Sequence, residues 1–303
     1  MKALITGSQG FVGKHLSSEL SSHRYKVSGI DLREDESTSY VDLMDRIAIK
    51  NYIRMNQPNV LFHLAAQAAI PYSWENPQKT YELNVIGTIN LLEAVRLESP
   101  TCRIILVGSA DQYGVTGCAS AISERTVSHP PNPYAASKKA QEEISQVYAK
   151  AYSLDICISR SFNHCGPGQN LGFLVPDLCH GIVQVEKGKS PYLKIGNTEA
   201  IRDFTDVRDI VRAYRLISEK GLGGETYNVG SGIGRSIREV VDTLIAFASC
   251  EIEVQPDSKR MRASDTPVMI CDNTKLREHT GWKPTIPFKK TLKDSLKYYR
   301  DKV

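Results

Sequence analysis

With 303 residues, the chain is long enough to bury a large core, either as one domain or as two interleaved lobes. Its net charge of +4 comes from 38 basic and 34 acidic residues without a dense basic block, which excludes nucleic acid from the expected partners. The seven cysteines lack metal-type spacing, so no metal site is expected. No apolar run approaches ~18 residues and the first strand follows Met1 directly, so we expect a cytoplasmic protein without a signal peptide or membrane partner.

The first predicted element is a buried strand over residues 2–6, followed by the amphipathic pattern of a helix over residues 11–22. Gly7, Gly10 and Gly13 stand between and within these elements. Such a glycine loop lets the backbone approach a pyrophosphate, and the positive end of the helix dipole then faces that anion. The N-terminus therefore predicts a dinucleotide site.

A second apolar run over residues 25–30 ends in Asp31, about 20 residues further on, where an acid would accept hydrogen bonds from the adenosine ribose. The Asp31 carboxylate would repel a 2′-phosphate, which favours NAD over NADP. Arg33 lies two residues on and could hold such a phosphate, so NADP remains possible.

Apolar runs and amphipathic stretches continue to alternate through the first half of the chain. Further strands are predicted near residues 59–64, 103–108 and 155–160, and helices near residues 43–55, 78–98 and 134–152. This alternation predicts an α/β fold, a Rossmann-type doubly wound parallel sheet with helices on both faces. Ligands of such a sheet bind beyond the carboxyl ends of the strands.

After residue 164 the elements become shorter and are punctuated by Gly and Pro, which predicts a smaller, interleaved C-terminal substrate lobe. One stretch is expected to return to the sheet, with strands at residues 204–205 and 226–229 around a helix at 207–218. The predicted dinucleotide-binding domain is residues 1–164 plus about 203–229, and the predicted substrate lobe is residues 165–202 plus 230–303.

Tyr134 and Lys138 are four residues apart on a predicted helix, so the phenol and the ammonium project from one face. A nearby ammonium, together with a cationic nicotinamide, is expected to lower the tyrosine pKa from its ordinary value of ~10. Ser109 ends a predicted strand, from which its hydroxyl would reach the same substrate oxygen as Tyr134. The three residues predict one site for proton and hydride transfer.

These residues accompany further motifs along the chain: Gly7–Gly13, Asp42–Leu43, His63–Ala66, Asn84 and Ser161–Gly168. Together they make the chain similar, essentially end to end, to extended short-chain dehydrogenases/reductases that act on nucleotide sugars. The resemblance implies that Asp42 and Leu43 border the adenine, that Asn84 supports the active-site helix, and that the segment at Phe162 passes the nicotinamide. The predicted cofactor-binding residues are Gly7, Gln9, Gly10, Phe11, Val12, Gly13, Asp31, Leu32, Arg33, Asp42, Leu43, Leu64, Ala65, Ala66, Gln67, Asn84, Tyr134, Lys138, Phe162 and His164.

Within that superfamily the second half most resembles GDP-4-keto-6-deoxy-mannose reductases and GDP-mannose 4,6-dehydratases, in the stretches 163–169, 171–173, 196–209 and 262–265. The resemblance implies that two arginines grip the diphosphate, for which guanidinium groups are suited, and that an aspartate holds the nucleotide ribose. An alternative for the first arginine is a surface ion pair with Asp203. The predicted substrate-binding residues are Ser109, Asn163, Leu174, Val175, Arg202, Arg262 and Asp265.

Asp111 stands where the resembling dehydratases carry a glutamate that removes the C5 proton. Aspartate is one methylene shorter, and a misplacement of about 1 Å can cost on the order of a hundredfold in rate. The resembling epimerase-reductases carry a cysteine there, and His164 with Cys165 is expected to be structural. The predicted catalytic residues are Ser109, Asp111, Tyr134 and Lys138.

These expectations predict a reductase in which hydride reaches the 4-keto carbon of a nucleotide-linked 6-deoxyhexose, a GDP-sugar being favoured, while Tyr134 supplies the proton. A GDP-mannose 4,6-dehydratase and a nucleotide-sugar 4-epimerase are the alternative enzymes, and a non-catalytic dinucleotide sensor is a remote one. The helices near 78–98 and 134–152 carry apolar residues on more than one face, and the resemblance implies that they pair in a homodimer.

Overall fold

A seven-stranded parallel sheet forms the centre of the part of the chain that the computed structural model describes, which is residues 1–115, 120–257 and 266–302. From one edge to the other its strands are Thr226–Val229 (β11), Ile156–Ser161 (β6), Arg103–Ser109 (β5), Val60–His63 (β4), Lys2–Thr6 (β1), Lys26–Asp31 (β2) and Thr38–Tyr40 (β3). The chain starts in the middle of this sheet and winds outward in both directions, so the predicted doubly wound Rossmann fold is confirmed. The edge strand β3 was not anticipated, since three residues carry too short a pattern.

Eleven helices occur in the described residues. They are Phe11–Ser22 (α1), Arg46–Asn56 (α2), Ile70–Glu75 (α3), Pro77–Tyr81 (α4), Gly87–Glu98 (α5), Pro133–Tyr152 (α6), Leu174–Glu186 (α7), Val207–Lys220 (α8), Ile237–Ile245 (α9), Thr274–Thr280 (α10) and Phe288–Lys302 (α11). A π-helical turn, Glu82–Ile86, interrupts the helix predicted near residues 78–98. Such turns are frequent at functional sites, and this one contains Asn84.

Two apolar layers cover the sheet. Leu16 of α1 and Tyr214 of α8 are fully buried on one face, and Ile53 of α2 and Leu91 of α5 are buried on the other. Fully burying a side chain of this size stabilises the fold by about 1.5–3 kcal/mol. The helices thereby hold the central strands in place, and predicted site residues lie at the carboxyl ends of these strands.

A second core joins α7, α9 and α11 with short strands. These strands are Leu193–Ile195 (β8) with Val254–Pro256 (β13), and Ile201–Asp203 (β9) between Gly234–Ser236 (β12) and Val268–Met269 (β14). Val183, Val240 and Leu296 are fully buried in it. No helix in the described ranges is both long and apolar enough to cross a membrane.

Two details differ from the expectations. The strand predicted at residues 204–205 is not part of the main sheet: Phe204 stacks on Phe288 at 5.8 Å between ring centroids, and Thr205–Asp206 (β10) pairs with His164–Cys165 (β7) instead. Trp282, just after α10, packs in the core under the main sheet although its range was assigned to the substrate lobe. Its indole N–H donates to the Asp209 carbonyl at 2.9 Å, a long-range contact that local sequence cannot reveal.

Candidate active site

The glycine loop after β1 is closed tightly on itself and on the end of β4. Gly7 has φ +71°, and a Cβ there would lie 2.9 Å from the Ala65 amide nitrogen. A Cβ on Gly13 would lie 2.3 Å from the Gly7 carbonyl oxygen. Gly10 caps α1 without a side chain, so backbone N–H groups of the first helical turn face outward at the loop. The residues present therefore fit a pyrophosphate, which such a backbone cradle binds.

Asp31 lies beside this loop at the end of β2. Its carboxylate accepts from the Gln9 backbone N–H at 3.0 Å and from the Leu32 N–H at 2.8 Å. The Gln9 side chain in turn donates to Asp35 and to Thr38, the latter at 2.9 Å. The loop thus has an acidic rim, on which Leu32 and the neighbouring Arg33 are exposed.

The other predicted cofactor residues surround the same sheet edge. Leu43 is only 4% exposed and belongs to the core, whereas Asp42 next to it is partly exposed. Leu64, Ala65 and Ala66 follow β4 and are half-buried. Phe11 and Val12 begin α1 and pack against the core below it.

Asn84 connects the π-helical turn to the loop after β4 and to α6. It exchanges two hydrogen bonds with the Gln67 backbone, at 2.8 and 3.0 Å, and donates to the Ser137 hydroxyl at 2.9 Å. Ser137 lies between Tyr134 and Lys138 on α6 and donates to the Tyr134 carbonyl at 2.7 Å. Through these hydrogen bonds Asn84 holds the first turn of α6 in position.

Ser109 and Tyr134 meet at the carboxyl end of the sheet. Ser109 is the last residue of β5, and its hydroxyl lies close enough to the phenol of Tyr134 to affect the phenol pKa. Tyr134 stands in the first turn of α6, which Asn132 caps by accepting the Ala135 N–H at 2.8 Å. Asp111 follows in a 3-10 turn, where its N–H donates to the Ser109 hydroxyl at 3.2 Å.

The expected lowering of the Tyr134 pKa is wrong for the chain's own groups. Burial raises the pKa of Tyr134 above its ordinary value, and the Asp111 carboxylate raises it further, while the hydrogen bond from Ser109 lowers it. Burial also lowers the pKa of Lys138 to about 7, although Glu142 opposes this effect. For both groups desolvation, which penalises the charged form, is the largest cause of the pKa shift.

Lys138 is 4% exposed, and its ammonium donates to the side-chain oxygen of Gln141. Gln141 belongs to a set of buried polar residues that sequence reasoning missed as a unit: Thr6, His63, Thr88 and Gln141. The spacing of Gln141, three residues after Lys138, was the available signal because it places both side chains on one face of α6.

Four of the predicted substrate residues belong to the segments that follow β6 in the chain: Asn163, Leu174, Val175 and Arg202. Asn163 is exposed, and its carbonyl accepts the Thr205 N–H at 2.9 Å. Leu174 and Val175 open α7, with Val175 buried in the second core. Arg202 lies on β9 and donates to the Ile201 carbonyl at 2.9 Å.

A surface ion pair was the alternative role for Arg202, and Asp203 is not its partner because Asp203 is fully buried. The Asp203 carboxylate accepts from the Ser231 and Gly232 backbone at 2.9 and 2.8 Å. Arg262 and Asp265 lie outside the described residues.

His164 and Cys165 adjoin the glycine loop from the opposite side. The His164 ring is stacked on Phe11 at 6.3 Å between centroids, and its Nδ1 is 2.9 Å from the carbonyl of the buried Phe162. Burial lowers the pKa of His164 and raises that of the Cys165 thiol. A neutral imidazole and a protonated thiol fit the expected structural role. No cluster of three His, Cys, Asp or Glu side chains suited to a metal ion occurs in the described ranges.

Known proteins resemble the chain over its full length. The family model described as GDP-mannose 4,6 dehydratase matches residues 4–295. The GDP-6-deoxy-D-mannose reductase of Pseudomonas aeruginosa is 32% identical, with 100% of this chain and 98% of that protein covered. The GDP-6-deoxy-D-talose 4-dehydrogenase of Aggregatibacter actinomycetemcomitans is 33% identical, with 93% of this chain and 92% of that protein covered.

Solved structures agree with this relationship. RMD from Pseudomonas aeruginosa, complexed with NADPH, has a TM-score of 0.91 and 30% sequence identity over 100% of this chain and 99% of its own. UDP-glucose 4-epimerase of Thermus thermophilus, complexed with NAD, has a TM-score of 0.89 and 28% identity over 100% of both chains. The chain therefore belongs to the GDP-mannose 4,6-dehydratase family, NAD(P)-dependent nucleotide-sugar enzymes of the short-chain dehydrogenase/reductase superfamily.

Proposed function

We propose that the protein is an NAD(P)H-dependent reductase of the 4-keto group of a GDP-linked 6-deoxyhexose. The observation that carries this proposal is the placement of Ser109 at the carboxyl end of β5, close enough to the Tyr134 phenol to lower its pKa, with Lys138 one helical turn further along α6. Two relatives at 32% and 33% identity are named for oxidoreduction of GDP-linked 6-deoxyhexoses, which supports the substrate class.

The proposed mechanism assigns one task to each of these side chains. When bound, the reduced cofactor supplies the hydride. Ser109 donates to the carbonyl oxygen of the sugar, and Tyr134 gives its proton to the alkoxide that forms there. The raised pKa of Tyr134 suits this task, because the phenol stays protonated near neutral pH. Lys138 as an ammonium holds the nicotinamide ribose and supports the phenolate after proton transfer.

The second core and its strands are proposed to bind the nucleotide sugar, with the lobe boundaries predicted from the sequence. Arg202 on β9 and Arg262 would hold the diphosphate, since guanidinium groups pair with phosphate oxygens. Asp265 would accept from the nucleotide ribose, and Asn163 with the first turn of α7 would line the sugar side. A GDP-sugar is the favoured substrate on the strength of the relatives.

The test is to mix the purified protein with NADH or NADPH and a panel of 4-keto-6-deoxyhexoses, and in parallel with NAD⁺ or NADP⁺ and the parent hexoses, each linked to GDP, UDP, dTDP or CDP. A reductase consumes reduced cofactor in stoichiometric amounts and forms a 6-deoxyhexose. Sugar conversion without net consumption would instead identify an epimerase, or a dehydratase in which Asp111 removes the proton. Cofactor binding with neither reaction would identify a sensor.

Asp31 is proposed to set a preference for NAD. Replacing it in Asp31→Asn should shift the ratio of kcat/KM for NADPH against NADH toward NADPH by about tenfold, because a repulsive charge beside the 2′-position is removed. The asparagine oxygen still accepts from the Gln9 N–H. Steady-state kinetics with both cofactors measures the ratio, and Glu34→Gln on the same exposed loop is the control. An unchanged ratio in Asp31→Asn would contradict the assignment.

A homodimer through α5 and α6 is also proposed. Leu91, Leu92 and Val95 are buried within the chain, yet Val147 on α6 is 55% exposed and Ile86, just before α5, is 44% exposed. These two exposed apolar side chains are proposed to pack against the same two helices of a second copy of the chain. Sedimentation of the purified protein measures the assembly state.

A further inference from the structure

Five buried polar side chains form a continuous path beneath the proposed active site, from Lys138 on α6 to Thr6 on β1. Lys138 donates to Gln141, and the Gln141 amide lies 2.7 Å from the Thr88 hydroxyl. Thr88 lies 2.8 Å from Nε2 of His63, whose Nδ1 lies 2.8 Å from the Thr6 hydroxyl. All five side chains are at most 4% exposed. Water therefore cannot substitute for a missing partner.

The donor and the acceptor of every hydrogen bond in this path follow from the hydrogen bond that Thr88 donates. Thr88 gives its only proton to the Asn84 carbonyl at 2.7 Å, so its hydroxyl oxygen can only accept from its two other neighbours. Nε2 of His63 must then carry the hydrogen, and Nδ1 accepts from Thr6. The Thr6 oxygen in turn accepts the Ala65 N–H at 3.1 Å, beside Gly7.

The same constraint fixes the amide of Gln141. Its NH₂ group must face Thr88, which has only acceptor capacity left there, and its oxygen must therefore face the Lys138 ammonium. A flipped amide would bring an NH₂ group against the ammonium and an oxygen against lone pairs. Burial lowers the pKa of His63 to about 3, so the ring remains neutral and keeps the single tautomer that this path needs.

We propose that Gln141 is a positioning residue for the reductase site: its side-chain oxygen, oriented by the chain Thr88–His63–Thr6, holds the Lys138 ammonium in place. This inference rests on the proposed function, in which Lys138 acts as an ammonium. Through the Ala65 N–H, the path also joins Lys138 to the backbone against which the glycine loop packs.

The titratable groups that act on Lys138 come from two elements. Glu142 shares its helix, and His63 lies on β4 and is neutral. Glu142 is itself held by Arg160 of β6 at 2.6 Å. A change at Gln141 leaves these groups in place, so its effect on Lys138 can be measured separately.

The experiment uses the full chain without cofactor, labelled with ¹⁵N and ¹³C at lysine, and follows the Lys138 side-chain signal by NMR as the pH is changed. Gln141→Met removes the acceptor of the ammonium and should move the Lys138 titration to lower pH. Gln141→Glu places a carboxylate there and should move it to higher pH. Each shift should be on the order of one pH unit. Gln78→Met, an equal change at an exposed residue of α4, should leave the titration unmoved.

Two further readouts complete the test. In the unmutated protein, ¹⁵N NMR of His63 should show a neutral ring protonated at Nε2 across the pH range in which the protein is folded. In the reductase assay, the loss of kcat at high pH should move in the same direction as the Lys138 titration in each variant. A common Lys138 titration in all variants, or a His63 ring protonated at Nδ1, would overturn the inference. The expected NMR shifts without any reductase activity would instead overturn only the proposed function.

Discussion

Phenylalanine in place of Tyr134 is expected to lower kcat for 4-keto reduction by about 10²–10⁴-fold, which is the usual contribution of a positioned proton donor. The phenol lies near Ser109, and burial with the Asp111 carboxylate keeps it protonated. Without it, the alkoxide that forms on the sugar lacks the phenol that would give it a proton. Stopped-flow or steady-state loss of the nicotinamide absorbance measures the rate.

Cofactor affinity in Tyr134→Phe should stay within a few-fold, because the glycine loop and Asp31 are untouched. Tyr152→Phe is the matched control, since Tyr152 stands at the end of the same helix with 50% of its surface exposed. Its kcat should equal that of the unmutated protein. Retention of most activity in Tyr134→Phe would show that another group donates the proton and would refute the assigned mechanism.

Alanine in place of Glu142 is expected to lower the free energy of unfolding by about 3–5 kcal/mol, the range for removing one partner of a buried ion pair. Glu142 is 3% exposed and accepts from the Arg160 guanidinium at 3.0 and 2.6 Å and from the Gln112 amide at 2.8 Å. Its loss leaves the Arg160 charge, which also contacts the Tyr113 hydroxyl, largely uncompensated inside the protein. Urea unfolding followed by circular dichroism measures the change.

Glu143→Ala is the control for this prediction. Glu143 is the next residue on α6 with a side chain that is 64% exposed, and its replacement should change stability by no more than about 0.5 kcal/mol. Replacing both partners, as Glu142→Leu with Arg160→Met, should recover much of the loss because no unpaired charge is then buried. Equal stability of Glu142→Ala and Glu143→Ala would mean that the pair contributes little.

Most strands and helices of the first half could be predicted to within a few residues because the pattern there is local. The strand predicted over residues 2–6 is β1, and the helix predicted over 11–22 is α1. Parallel strands buried on both faces appear as short apolar runs, and amphipathic helices separate them. The glycine loop was equally visible, since a positive φ at Gly7 and the closeness of Ala65 leave no room for a side chain.

The proposed site was predictable only as a set of residue types. The sequence placed Ser109 at a strand end and Tyr134 one turn before Lys138, and in the structure Ser109 lies near enough to the phenol to lower its pKa. The direction of the Tyr134 pKa was predicted wrongly because the cost of burying a charge depends on the surrounding atoms. The residue pattern shows that Lys138 is near Tyr134. It does not show that the site excludes enough water for desolvation to dominate the Tyr134 pKa.

Contacts between segments that are distant in the chain could not be predicted either, because they depend on the tertiary structure. The π-helical turn at Asn84 has no local pattern, and the Asn84 side chain within it bonds to Gln67 and Ser137. Trp282 could have joined either core, and its place under the main sheet depends on the Asp209 carbonyl. In each case the partner lies far away in the chain.

By itself, the sequence determined the doubly wound sheet, the glycine loop and the residue types at the sheet edge, because short-range periodicity and backbone freedom are properties of neighbouring residues. Only the tertiary structure decided which protons those residues hold and which groups orient them. Burial raises the phenol pKa of Tyr134 and lowers that of Lys138, and the amide of Gln141 has a single orientation. Desolvation and hydrogen-bond direction depend on what lies on every side of a group, and several elements of the folded chain supply those neighbours together.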